Sequence, residues 1–182
     1  MGSHPLPRTS KRTVLRRLGV SDLADFQAYR CDPEVARYQD WQVQPDTKAR
    51  SFLADVHVAE LLVPGHWCQI GIADRSTDAL IGDVGICVAA DQDQAEIGFS
   101  MARHAQRKGL ASEAVLEAIQ LIFEHSDVSR IIGITDARNL PSVRLLERVG
   151  MHKYREQETV FRDEPCIEYF FTVSCNEVFG LE

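Results

Sequence analysis

The segment from Glu96 to Thr135 constrains this chain most, because it reads as strand, turn, helix and strand without interruption. The first run is Glu96-Ile-Gly-Phe-Ser-Met101. From it, Gln106-Arg-Lys-Gly-Leu-Ala111 leads into a helix predicted to end at His125. Ala111, Ala114, Val115, Ala118, Ile119 and Ile122 share one helical face, opposite Glu113, Glu117, Gln120 and Glu124. Arg130–Thr135 is a short apolar strand. Returning after a helix, it should lie parallel to Glu96–Met101 across a right-handed crossover.

The start of that helix is a natural seat for phosphate, since it offers unpaired backbone N–H groups and the positive end of the helix dipole. Gly109 lets the backbone approach closely, Ala111 leaves no side chain in the way, and Arg107 and Lys108 add positive charge at the rim. The chain carries neither G-x-x-x-x-G-K-[ST] nor G-x-G-x-x-G, so this pyrophosphate cradle differs from the nucleotide-binding ones.

Gln106-x-x-Gly109-x-Ala111 resembles the Q/R-x-x-G-x-G/A acetyl-CoA signature of the GCN5-related N-acetyltransferases (GNAT). Asn139-Leu-Pro-Ser142-Val-Arg-Leu-Leu-Glu147-Arg-Val-Gly150-Met is similar to the second half of that fold, particularly in its RimJ/RimL-like branch. The likeness runs from roughly Thr13 to Phe171, nearly the whole chain. It implies acetyl-CoA as cofactor and two parallel strands that splay apart, with the pantetheine arm between them like an extra strand. The Phe99–Ser100–Met101 stretch would meet that arm, and Gln106, Arg107, Lys108, Gly109, Leu110, Ala111 and Ser112 would surround the pyrophosphate. A backbone N–H near a bulge in Phe99–Met101 would polarise the thioester carbonyl. Asn139 would bond the pantetheine amide, or else cap the helix that starts at Pro141.

The 182 residues suffice for one domain with an ample core. No apolar run approaches the ~20 residues that span a bilayer, so no membrane role is expected. Met1–Ser10 is polar and has no apolar signal-peptide core. Residues 1–10 and 177–182 are expected to be tails around a single domain over 11–176. Five scattered cysteines (Cys31, Cys68, Cys87, Cys166, Cys175) form no C-x-x-C and read as reduced, mostly buried side chains of a cytoplasmic protein. A net charge of −7 argues against nucleic acid and mildly favours cationic partners such as amines, though solubility alone explains it equally. No Cys/His pairing has zinc spacing, so no metal is expected.

Ahead of the central unit, Thr13–Leu18 reads as a strand and Ser21 as the cap of a helix over Asp22–Tyr29. Asp32-Pro33 starts a short helix into Tyr38, and Thr47–Val63 is a longer one stopped by Pro64-Gly65. Trp67–Ala73 and Ala79–Ala89 alternate as a hairpin around Asp74–Asp78. Beyond the unit, Pro141–Val149 forms a helix closed by Gly150, and His152–Glu158 pairs with Cys166–Ser174 around Arg162-Asp163. The sum is a mixed α/β, GNAT-like fold: six or seven mostly antiparallel strands, a central parallel βαβ cleft and about four helices.

Acetyl transfer to an amine needs the amine neutral and the departing thiolate stabilised. Ile97, Phe99 and Met101 alternate with Glu96, Gly98 and Ser100, so an apolar face packs on a helix while Glu96 turns to the cleft. Glu96 is thereby the leading general base, acting through a water; the plainer alternatives are a solvated carboxylate or a salt bridge to an arginine. Asp136 is the second candidate for that role, or a turn residue accepting backbone N–H bonds. Many acetyltransferases of this fold place a tyrosine where this chain has Leu146. The RimJ/RimL-like pattern offers Ser142 instead, whose hydroxyl would hydrogen-bond the sulfur or else cap its own helix. Tyr154 is a remoter candidate.

Tyr38, Asp40 and Trp41 lie in an interhelical loop and are the candidate acceptor-binding residues; an Asp beside two aromatics suits a cationic amine. Trp67 is expected in the core. The acceptor is a protein N-terminus or a small amine. Neutralising an α-amine of pKa ~8 at pH 7 costs about 1 kcal/mol, against about 4–5 for a lysine, which tilts the reading toward α-amines. The alternative is a catalytically weak acyl-CoA-binding or sensing module. The aromatic strand Cys166–Ser174 would support a homodimer if it formed a sheet edge, and core packing explains it otherwise.

Overall fold

Residues 5–180, the part of the chain that the computed structural model describes, form eight strands and six α-helices. In chain order these are β1 (Arg8–Thr9), β2 (Thr13–Arg17), α1 (Leu23–Arg30), α2 (Pro33–Ala36), α3 (Asp46–Val58), β3 (Trp67–Asp74) and β4 (Leu80–Val88). There follow β5 (Gln94–Met101), α4 (Leu110–His125), β6 (Arg130–Asp136), α5 (Leu140–Arg148), β7 (His152–Phe161), β8 (Glu164–Ser174) and α6 (Cys175–Phe179). All eight strands form one sheet in the order β1-β2-β3-β4-β5-β6-β8-β7. Every neighbouring pair is antiparallel except β5 and β6, which α4 joins as the crossover predicted.

The helix α4 seats the fold. Val115, Ala118, Ile119, Leu121 and Ile122 are fully buried in one cluster with Ile86, Ile97, Ile131 and Phe171 of the sheet. Each Val, Leu or Ile so buried contributes about 1.5–3 kcal/mol. On the other side of the sheet, Phe26 and Tyr29 of α1 and Leu53 of α3 close a second, smaller core over Leu18 and Leu80.

Eight strands and six helices exceed the expected six or seven strands and about four helices, and two of the added elements are short ones at the chain's ends. β1 pairs with β2 inside the segment read as an N-terminal tail, and α6 occupies residues read partly as a C-terminal tail. Ser174 and Glu177 cap each other's backbone at the start of α6, and Phe179 packs edge-on against Phe123 of α4. The outermost tail residues, 1–4 and 181–182, lie outside the described part.

Several local expectations need correction. Ser21 does not cap α1; Asp22 occupies that position, its carboxylate taken by Arg16 at 2.8 and 3.0 Å and by the Gly19 N–H. The helix expected to reach Val63 ends at Val58, where the Arg17 guanidinium ties down the carbonyls of His57 and Ala59. β8 is not a sheet edge: it lies between β6 and β7, and Phe170 and Phe171 are buried. The edge on that side of the sheet is β7, whose exposed Lys153, Arg155, Glu156 and Glu158 discourage pairing with another strand. Gly150 at φ +88° and the Arg162-Asp163 turn, both residues at positive φ, stand where predicted.

Candidate active site

β5 and β6 pair only through Gln94↔Arg130, Ala95↔Ile131 and Glu96↔Ile132. Beyond Glu96, β5 continues along β4 and β6 along β8, so their inner edges part and open a wedge between them. The register of β4 against β5 runs unbroken from Val88↔Ala95 to Gly82↔Met101. The bulge expected in Phe99–Met101 is therefore absent, and the inner edge of β5 is a regular strand edge.

Within the wedge lies a cavity of about 80 Å³, lined by Tyr38 and Gln39 of the interhelical loop, Phe99 of β5, Thr135 of β6, Asn139 just ahead of α5, and Ser142 of α5. Asn139 caps α5, its side-chain oxygen accepting the Ser142 N–H at 3.4 Å. The cap is thus Asn139 rather than Ser142, and the Ser142 hydroxyl has no hydrogen-bond partner among the described residues. Leu146 lines the same cavity, whereas Tyr154 does not and stands edge-on to Phe170.

The interhelical loop is fastened from two sides. The Gln39 side chain donates to the Phe99 carbonyl at 3.4 Å, and Arg162, at the β7–β8 turn, donates to the Gln39 carbonyl at 2.7 Å. The Trp41 ring lies 3.8 Å from the Arg30 guanidinium, and its indole N–H meets the Arg30 carbonyl. Trp41 therefore already holds a cation of the protein itself. Arg30 in turn bonds Asp83 at 2.8 Å beside the Tyr29 hydroxyl, which donates to the same buried carboxylate.

Glu96 projects from the face of β5 opposite Ile97 and is half-buried. Burial, followed by the negative charges of Glu168 and Asp40, pushes its pKa above the ordinary carboxylate range. No arginine or lysine among the described residues pairs with it. Asp136 has the opposite setting: Arg138 grips it through its side chain at 2.7 Å and its backbone N–H at 2.8 Å, which holds its pKa down. A carboxylate so held is a poor base, and its turn role is the one it fills.

At the other end of the wedge, α4 starts from Gly109 at φ +79°, and no side chain caps it. The N–H groups of its first turn are left open for an anion, with exposed Arg107 and Lys108 alongside. Gln106 turns inward instead and donates to the Met101 carbonyl at 2.9 Å, fixing the loop to the end of β5. Leu110 is buried and anchors the turn, and Ser100 is buried on the Glu96 face of β5. Two cationic residues absent from the sequence reading stand here. A Cβ on Gly109 would lie 3.2 Å from an Arg12 nitrogen, and Arg148 reaches the Ser112 hydroxyl at 3.5 Å. Both come from other elements, and no local pattern marks them.

Trp67 is not core: its relative exposure is 56%, on the same face as Glu96. The cysteines are less buried than expected, only Cys68 and Cys166 being so, and all five are free thiols.

Comparisons with known proteins identify the family. The acetyltransferase (GNAT) domain family matches residues 12–152, and the chain belongs to that family. An uncharacterized N-acetyltransferase of Bacillus licheniformis, p20, is 30% identical over 146 residues, 79% of this chain and 81% of the relative. The fold is similar to two solved structures. A spermidine N-acetyltransferase from Vibrio cholerae, bound to CoA and spermine, matches with TM-score 0.78 and 17% identity over 93% of this chain and 99% of its own. RimL, a ribosomal L7/L12 α-N-protein acetyltransferase bound to coenzyme A, matches with TM-score 0.79 and 12% identity over 93% and 98%.

Proposed function

We propose that this protein transfers an acetyl group from acetyl-CoA directly to a primary amine, with Glu96 as base and Ser142 as hydrogen-bond donor at the leaving sulfur. The wedge carries this reading: it opens immediately after the Glu96↔Ile132 pair and has Ser142 on its far wall. The open first turn of α4 with Arg107, Lys108 and Arg148 fits a pyrophosphate, and the free inner edge of β5 fits an extended amide-bearing arm. Bound there, acetyl-CoA supplies an acetyl thioester. The chain's own residues do the rest.

Glu96 takes the proton a cationic amine must lose. Its raised pKa narrows the gap to the amine's own, so the proton is held more firmly than by an ordinary carboxylate. Asp40 and Glu168 near it favour a cationic acceptor reaching the cleft. Two proteins of the same fold act on amines of different kinds by their names, a ribosomal protein's α-amine and spermidine, so the fold leaves the acceptor open. The single base makes an α-amine the lighter task.

A free-thiol release assay with acetyl-CoA and a panel of peptides, polyamines and aminoglycosides tests the reading. Turnover with one class supports it; coenzyme A binding without turnover on any class points to a sensing module. In that assay Ser142→Ala is expected to lower kcat roughly two- to tenfold, the worth of one hydrogen bond of ~0.5–1.5 kcal/mol, with coenzyme A affinity kept. An unchanged kcat would remove Ser142 from the chemistry.

A further inference from the structure

Trp67 is the one large aromatic left exposed on the face of β3–β5 that carries Glu96, among the described residues. The sheet register places it in a row: Trp67 opposite Cys87, and Cys87 opposite Glu96. Residues opposite one another on neighbouring strands point to one face. Trp67 and Glu96 thus stand two strand spacings apart, about 10 Å, on a common surface.

The next row lies alongside them. Gln69, Gly85 and Gly98 are opposite one another in turn. A Cβ at Gly85 would meet the Trp67 ring at 3.3 Å and the Gln69 side-chain oxygen at 2.5 Å, so these two side chains cover Gly85, which is buried. A Cβ at Gly98 would meet nothing within 4 Å. The result is a surface on which the Trp67 ring and the Gln69 amide, resting over Gly85, face Glu96 across the Cys87 thiol and the bare backbone of Gly98. Trp41 cannot offer the same surface, because Arg30 covers its ring.

We infer that Trp67, Gln69 and the open backbone at Gly98 form a subsite for a planar ring, aromatic or heteroaromatic, carried by the acceptor amine about 10 Å from its reacting nitrogen. The inference rests on the amine-acetylating reading of Glu96 and narrows it to a substrate class. The missing side chain at Gly98 leaves room for a flat group, and offset or edge-on contact with an indole rewards a ring over an alkyl chain of equal length. The Gln69 amide adds a donor and an acceptor for a heteroatom on the ring.

The test compares 4-phenylbutylamine with hexylamine in the wild type, Trp67→Ala and Trp67→Phe, by thiol release with acetyl-CoA and by calorimetry with coenzyme A present. The ring-bearing amine is expected to be preferred about tenfold in kcat/KM and in affinity. Trp67→Ala should erase that preference while leaving hexylamine unchanged, and Trp67→Phe should restore most of it. Equal handling of the two amines by the wild type, or an equal loss on both in Trp67→Ala, overturns the subsite. Ring-selective binding without thiol release supports the subsite and sinks the transferase reading instead, and no binding of either amine overturns the subsite.

Discussion

Gly109→Val is expected to raise the dissociation constant for coenzyme A by about 100-fold or more, equivalent to roughly 2.7 kcal/mol. Valine is among the residues least able to adopt φ +79°, and holding it there costs on the order of 1–3 kcal/mol. The loop can keep its shape and carry a branched side chain over the open N–H groups of α4, or relax and turn those groups away. Either way the anion loses its seat. The new Cβ would also press on Arg12, whose guanidinium pairs with Glu113 at 2.6 Å. Calorimetric titration of coenzyme A reads the effect, and affinity within threefold of wild type would move the pyrophosphate away from this turn.

Glu96→Gln is expected to lower kcat/KM for an amine of high pKa by about 10²–10⁴-fold, the usual worth of a positioned base, with coenzyme A affinity intact. The wild-type rate should rise with pH through a step above the ordinary carboxylate range, because only ionised Glu96 accepts a proton. That step should vanish in Glu96→Gln. It should move to lower pH in Glu168→Gln, where one of the two neighbouring charges that raise it is gone. The same shift has a stability sign. A carboxylate whose folded pKa is raised favours the fold below its unfolded value of ~4.3, and that contribution is lost as pH rises through the folded value. At pH 7 ionised Glu96 is a liability to the fold, so Glu96→Gln should melt higher than wild type there. A lower melting temperature together with lost activity would mark Glu96 as structural.

The sequence was most legible where physics acts locally. The α4 stripe, the Gly109 turn, the Gly150 stop and the hairpin turn at Arg162-Asp163 each depend on a few adjacent residues. The opposite faces of β5 followed from alternation alone, and Ile97 and Met101 are buried as that pattern required. What escaped notice is set by distant partners. Asp22 displaced Ser21 at α1 because Arg16, from another element, claims it. Trp41 looked free to bind a cation until the fold brought Arg30 over it, and Trp67 looked like core until the register put it across from Cys87 on an exposed face. Arg12 and Arg148 reach the cradle from 97 and 39 residues away along the chain, counted to Gly109.

The clasp between Arg162 and Gln39 sets an order of events during synthesis. The two partners are 123 residues apart, so at about 5–20 residues per second the ribosome needs roughly 6–25 s to deliver the second after the first. Through that interval the interhelical loop exists without its fastening, and β6 waits for β8, its antiparallel neighbour. The Gly109 turn and its Arg107 and Lys108 are made well before either. A nascent chain can therefore meet the phosphates of its cofactor before it owns a finished place for an amine.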